Sequence, residues 1–125
     1  MSASVRNTIA WILQVLLGLV FILSGFNKLT NLPISTVIFE SMGLPSVLAY
    51  VVGGAELLAG IGLIVSRRLA RWAALGLLPI MIVAVFLHAT KIPGGLANGI
   101  PAVTCLVLLG VVMWLRWPTT VSKAA

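Results

Sequence analysis

A carboxylate in the middle of an apolar run constrains this chain more than any other feature. The run is Val47 to Ser66, VLAYVVGGAELLAGIGLIVS, and Glu56 stands near its centre. About 20 apolar residues are enough for a helix to cross the roughly 30 Å hydrocarbon core of a bilayer. An ionisable group at that depth costs several kcal/mol, so it is expected to face protein, a partner or water. Small residues surround it, Gly53, Gly54, Ala55, Ala59, Gly60 and Gly62. Such residues let membrane helices approach closely. This helix is therefore expected to be the centre of packing and of any chemistry.

Composition makes the rest of the chain consistent with that start. Of 125 residues, 61% are hydrophobic and 8% charged, against about 25% charged in soluble domains. The expectation is a single-domain, all-α integral membrane protein. Four spans are read at about 8–28, 46–66, 70–90 and 101–117. Between the first two, Leu29 to Pro45 is bracketed by Pro33 and by the Gly43-Leu44-Pro45 break, and its middle, Ser35 to Met42, reads as a short interfacial helix. The run from Lys91 to Pro101, with Pro93, Gly94, Gly95, Asn98 and Gly99, carries turn chemistry. Pro79 inside the third span frees a backbone carbonyl and predicts a kink.

The net charge of +6 does not point to nucleic acid, because the cations flank apolar spans. Arg6, Arg67, Arg68, Arg71, Arg116 and Lys123 fall on one side, Lys28 and Lys91 on the other. The positive-inside rule then places both termini in the cytoplasm. The architecture expected is a four-helix bundle with short connections.

Helical spacing brings Gln14, Gly18, Gly25 and Lys28 onto one stripe of the first span. That stripe is expected to oppose Gly53, Glu56 and Gly60, with the glycines as packing residues. Glu56 lies roughly 16 Å below Pro45 at 1.5 Å per residue, whereas Lys28 and His88 lie near the outer surface. Direct contact therefore requires the lysine to reach inward or the second helix to begin deeper. A water-filled vestibule lined by Asn27, Lys28, Glu56 and His88 is the more permissive arrangement, with Glu56 as anchor and Lys28 and His88 as donors. The plainer readings are a carboxyl that only ties helices together, a lysine snorkelling to the headgroups and a histidine hydrogen-bonded at a helix end.

Catalytic residues are not expected: the inventory yields no nucleophile triad or phosphate loop. One cysteine, Cys105, excludes an internal disulfide or CxxC pair, and it reads as packing. Metal binding is not expected from one histidine and no aspartate.

The segments GLVFILSGFNKL (Gly18 to Leu29), GLP (Gly43 to Pro45), GGAELLAGIGLI (Gly53 to Ile64) and RLARWAALGLLPIMIVAVFLHAT (Arg68 to Thr90) resemble the DoxX-like family of small, mainly bacterial, four-helix membrane proteins. The likeness runs from about Val5 to Trp117, although the chain ends its fourth span in LRWP and not in the GPGxxS-type tail of the founding branch. The resemblance implies a multi-pass protein of the bacterial inner membrane. Relatives are linked to thiosulfate:quinone oxidoreduction as a small subunit, to a membrane complex with oxidative-stress enzymes, and to membrane-protein assembly. With no redox centre of its own, the chain is expected to be an auxiliary subunit. It would bind a quinone-like or lipid-like molecule, or a partner membrane or redox protein, around Glu56. A small proton-coupled transporter, as an oligomer, and an assembly scaffold are the alternatives; the surrounding lipids are partners in each.

Overall fold

The computed structural model describes residues 2–91, 95–97 and 99–117. Among these residues five α-helices follow one another: α1 (Ala3–Thr30), α2 (Leu32–Ser41), α3 (Val47–Val65), α4 (Arg67–Thr90) and α5 (Ile100–Arg116), with a 3-10 turn at Gly95–Ala97 before the last. No strand occurs among the described residues. Of the expected turn residues, Pro93, Gly94 and Asn98 lie outside the described set, as does Lys123.

Helices α1, α3 and α4 are long and apolar enough to cross a membrane, whereas α5 is apolar but holds only 17 residues. The expected boundaries shift where caps or prolines decide them. The Ser2 hydroxyl accepts from Val5 N at 3.1 Å and starts α1 five residues before the apolar stretch, so Arg6 is helical. Pro33 lies inside the first turn of α2 instead of bracketing it, because that position needs no N–H donor. Helix α2 ends with Gly43 N bonded to Glu40 O and Leu44 N to Phe39 O, while Gly43 takes φ +79°. That pattern is a helix stop in which the left-handed residue favours glycine. It gives the Gly43-Leu44-Pro45 segment a physical role.

Ser66 alone separates α3 from α4. It is extended, and its hydroxyl caps Leu69 N at 3.0 Å. Arg67, Arg68 and Arg71 thus lie within the first five residues of α4. Helix α4 continues through Pro79 to Thr90.

Antiparallel neighbours close a ring in the order α1, α3, α4, α5 and back to α1. Its core holds Leu17 and Phe21 of α1, Leu63 of α3, Ala70, Ala74, Leu77 and Met81 of α4, and Leu109 and Val112 of α5. Cys105 packs against this cluster. Many large apolar side chains face outward, among them Leu16, Leu23, Leu58, Val83 and Phe86. That surface suits hydrocarbon, and the small, tightly closed core is what remains between the helices.

At the arginine-rich end, polar side chains join the first and last helices. Arg6 donates to the carbonyls of Leu115 and Trp114 at 3.2 and 2.6 Å, near the end of α5 where helix carbonyls lack partners. Gln14, fully buried, donates from Nε2 to Leu63 O at 2.8 Å, near the end of α3, and its Oε1 accepts from Arg116 Nε. Arg116 also donates to Asn7 Oδ1 at 2.9 Å. Five of the six cations expected on one side are thus described residues near the ends of α1, α4 and α5.

Candidate functional site

The stripe of α1 and the stripe of α3 face each other at backbone distance. A Cβ placed on Gly25 would lie 2.5 Å from Gly53 O and 2.6 Å from Leu57 N. One on Gly60 would lie 2.8 Å from Ile22 N, and one on Gly18 2.9 Å from Gly60 O. Gly53 meets Lys28 Cβ and the Leu29 side chain at 3.1–3.3 Å. The four glycines singled out from spacing therefore line one seam, and three of them permit contacts that no side chain would allow. Gly54 and Gly76, by contrast, have nothing within 4 Å of an added Cβ.

That pairing fixes the level of the two charges. Lys28 stands opposite Gly53, one turn from Glu56, so about 4.5 Å along the helix separates them. Its ammonium turns inward. Nζ lies 3.1 Å from Glu56 Oε1 and 3.3 Å from Oε2, and it donates to Ser24 Oγ at 2.8 Å. The direct contact that required the lysine to reach inward is the arrangement found. α1 ends at Thr30, about a turn short of the start of α3, and the lysine reaches toward the bundle centre. Snorkelling to the headgroups is corrected. The Glu56 side chain is 3% exposed and that of Lys28 27%, so the carboxylate is enclosed and the cation partly open.

The vestibule takes a different outline from the expected one. A cleft of about 400 Å³ lies between the end of α1 and the connector helix α2. Asn27, Lys28 and Asn31 form its polar wall, and Ile34, Ile38 and Phe39 its apolar wall, with buried Ser35 between them. Glu56 stands behind Lys28 and not on the wall. Asn27 is exposed, and its Oδ1 accepts from Asn31 Nδ2 at 2.6 Å.

His88 is placed elsewhere. Its Nδ1 lies 2.8 Å from Ala84 O, one turn back on α4, and a Cβ on Gly99 would sit 2.8 Å from its Cβ. It packs the end of α4 against the start of α5 and does not line the cleft. The plainer reading, a hydrogen-bonded residue at a helix end, describes this geometry.

The DoxX family model matches residues 9–90, the stretch that holds both partners of the ion pair. The chain belongs to the DoxX family. No curated protein and no solved structure matches it. As a DoxX-family chain with three spanning-length apolar helices, it is a membrane-embedded helical protein. The matched stretch covers α1 from Ile9 onward and the whole of α2, α3 and α4, and stops before α5.

Spacing pointed to Lys28, Glu56 and Asn27 but missed the groups around them. Ser24 could have been found, because it precedes Lys28 by one turn on the same stripe. Asn31 could have been found in the same way, one turn after Asn27, but Ser35 and Phe39 could not. They reach the cleft only because α2 folds back beside α1.

Proposed function

We propose that this DoxX-family protein is an auxiliary subunit of a membrane complex that holds a quinone-like molecule in the cleft between α1 and α2. The observation that carries this reading is the position of Lys28, at once paired with buried Glu56 and partly open on the cleft wall. An ammonium has three N–H donors. Ser24 takes one and Glu56 Oε2 another, which leaves the third for a ligand carbonyl. Ile34, Ile38 and Phe39 supply an apolar face for a ring or a prenyl tail. The chain's residues bind and orient; electrons would come from a partner that carries a redox centre.

In this reading the protein lies in the bacterial inner membrane, α5 is the fourth span and both ends of the chain face the cytoplasm. A cysteine at exposed Glu40, at the end of α2, is expected to label from outside intact cells, while one at Ser122, beyond the described residues, is expected to stay protected. The reverse pattern overturns the orientation.

Binding is tested with the purified full chain and a short-tailed water-soluble ubiquinone analogue, read by tryptophan fluorescence and calorimetry. Phe39→Ala and Lys28→Gln are each expected to weaken binding about tenfold, a loss equivalent to one charge-assisted hydrogen bond or one packed aromatic. Unchanged affinity in both variants rejects the cleft as the site.

A further inference from the structure

Ser35 sits between the polar and the apolar walls of the cleft and is the one buried residue that lines it, at 8% exposure. Its hydroxyl has no hydrogen-bond partner among the described residues. Neighbouring hydroxyls behave otherwise. Thr30, Thr36 and Ser41 each donate to a carbonyl three or four residues back, the ordinary habit of such side chains in helices. For Ser35 the carbonyl one turn back is occupied. Asn31 O already accepts from Ile34 N at 3.1 Å and from Ser35 N at 3.0 Å, and a carbonyl oxygen has two lone pairs. A hydroxyl enclosed in this way is a standing cost unless something in the cleft bonds it.

Lys28 is the other enclosed polar group. Ser24 and Glu56 leave it one N–H direction. Asn27 and Asn31 line the same cleft but are exposed and bonded to each other. Away from that open edge, the cleft therefore offers two polar anchors, an ammonium and a hydroxyl, beside the apolar face of Ile34, Ile38 and Phe39.

Resting on the reading of this cleft as a quinone site, we infer that Ser35 is its second anchor and sets its specificity. The occupant is then a ring bearing two oxygens, a dione or the matching diol, with one oxygen accepting from Lys28 and the other bonded to Ser35. A hydroxyl both donates and accepts, so Ser35 suits the carbonyl of the oxidised ring and the O–H of the reduced one. Lys28 donates to an oxygen of either form. A fatty acid or a phospholipid has one polar head and would satisfy the lysine alone. Its tail would lie along Ile34 and Ile38 and seal the Ser35 hydroxyl in hydrocarbon without a partner, which is unfavourable. The second oxygen removes that cost.

The purified full chain in detergent is titrated by calorimetry, against empty micelles, with 2,3-dimethyl-1,4-naphthoquinone and with 1-tetralone, a fused ring with a single carbonyl. Ser35→Ala is expected to weaken the dione about fivefold, the loss of one neutral hydrogen bond, and to leave 1-tetralone unchanged. Its melting temperature should not fall, because the hydroxyl bonds nothing in the protein and alanine is the better helix former. Lys28→Gln is expected to weaken both compounds. Unchanged dione affinity in Ser35→Ala, with Lys28→Gln still weakening it, overturns this inference and leaves the cleft as the quinone site. Equal weakening of both compounds by Ser35→Ala, together with a lower melting temperature, also overturns it, since the serine would then only support the fold. Decanoate that displaces the dione and binds Ser35→Ala as tightly as the natural chain would assign the cleft to a single-headed amphiphile. Absence of dione binding to the natural chain rejects the quinone reading and this inference with it.

Discussion

Replacing Lys28 with methionine is expected to destabilise the protein by about 3–5 kcal/mol, the range for leaving one member of a buried pair without its partner. Glu56 is almost fully enclosed and Lys28 supplies both its close contacts among the described residues. Without the ammonium the carboxylate must stay charged in an apolar seam or take up a proton, and each alternative costs stability. Glu56→Gln is expected to cost far less, about 1 kcal/mol. The amide oxygen still accepts from Lys28, and the lysine keeps Ser24 and its partial exposure. The double variant should be more stable than Lys28→Met alone, since no charge then remains buried. Thermal unfolding in detergent, followed by helical circular dichroism, reads all three. A larger loss in Glu56→Gln than in Lys28→Met would show that the lysine, and not the carboxylate, is the member that cannot stand alone.

Gly25→Ala is expected to lower stability by about 1–3 kcal/mol, the usual range for overpacking. The added methyl would meet Gly53 O and Leu57 N, and backbone atoms cannot rotate away as a side chain can. Helices α1 and α3 would have to separate, which would also lengthen the contact between Lys28 and Glu56, less than one turn along the seam. Gly54→Ala makes the opposite case. Its Cβ would meet nothing within 4 Å, and exchanging a helical glycine for alanine is expected to gain about 0.5–1 kcal/mol. The melting temperatures of the two variants should therefore move in opposite directions. Equal shifts would show that the α1–α3 seam is looser than the backbone distances state. Ile64→Leu, at a side chain that can adjust, should do less harm than Gly60→Leu, whose Cβ faces Ile22 N at 2.8 Å.

The chain's own sequence determined the helices and their faces. Apolar runs of spanning length have few other solutions, because backbone groups in hydrocarbon must bond within the segment. Glycine spacing determined which stripes meet, since only small residues allow the approach seen between Gly18, Gly25, Gly53 and Gly60. Glu56 was legible for a related reason: an acid inside an apolar run must turn toward protein. Helix ends were less legible. Ser2 and Ser66 moved the starts of α1 and α4 through single hydroxyl caps, and Pro33 turned out to begin a helix rather than bound one.

Only the tertiary structure decided what stands beside Glu56. Counting residues along each helix measures depth from that helix's own end, and α1 and α3 do not end at the same level. The lysine reaches inward to within 3.1 Å of the carboxylate, where the count had left it near the outer surface. The same holds for the cleft and for His88. Where α2 folds back and which neighbour faces the end of α4 depend on packing between distant segments, and no periodicity within one helix records it.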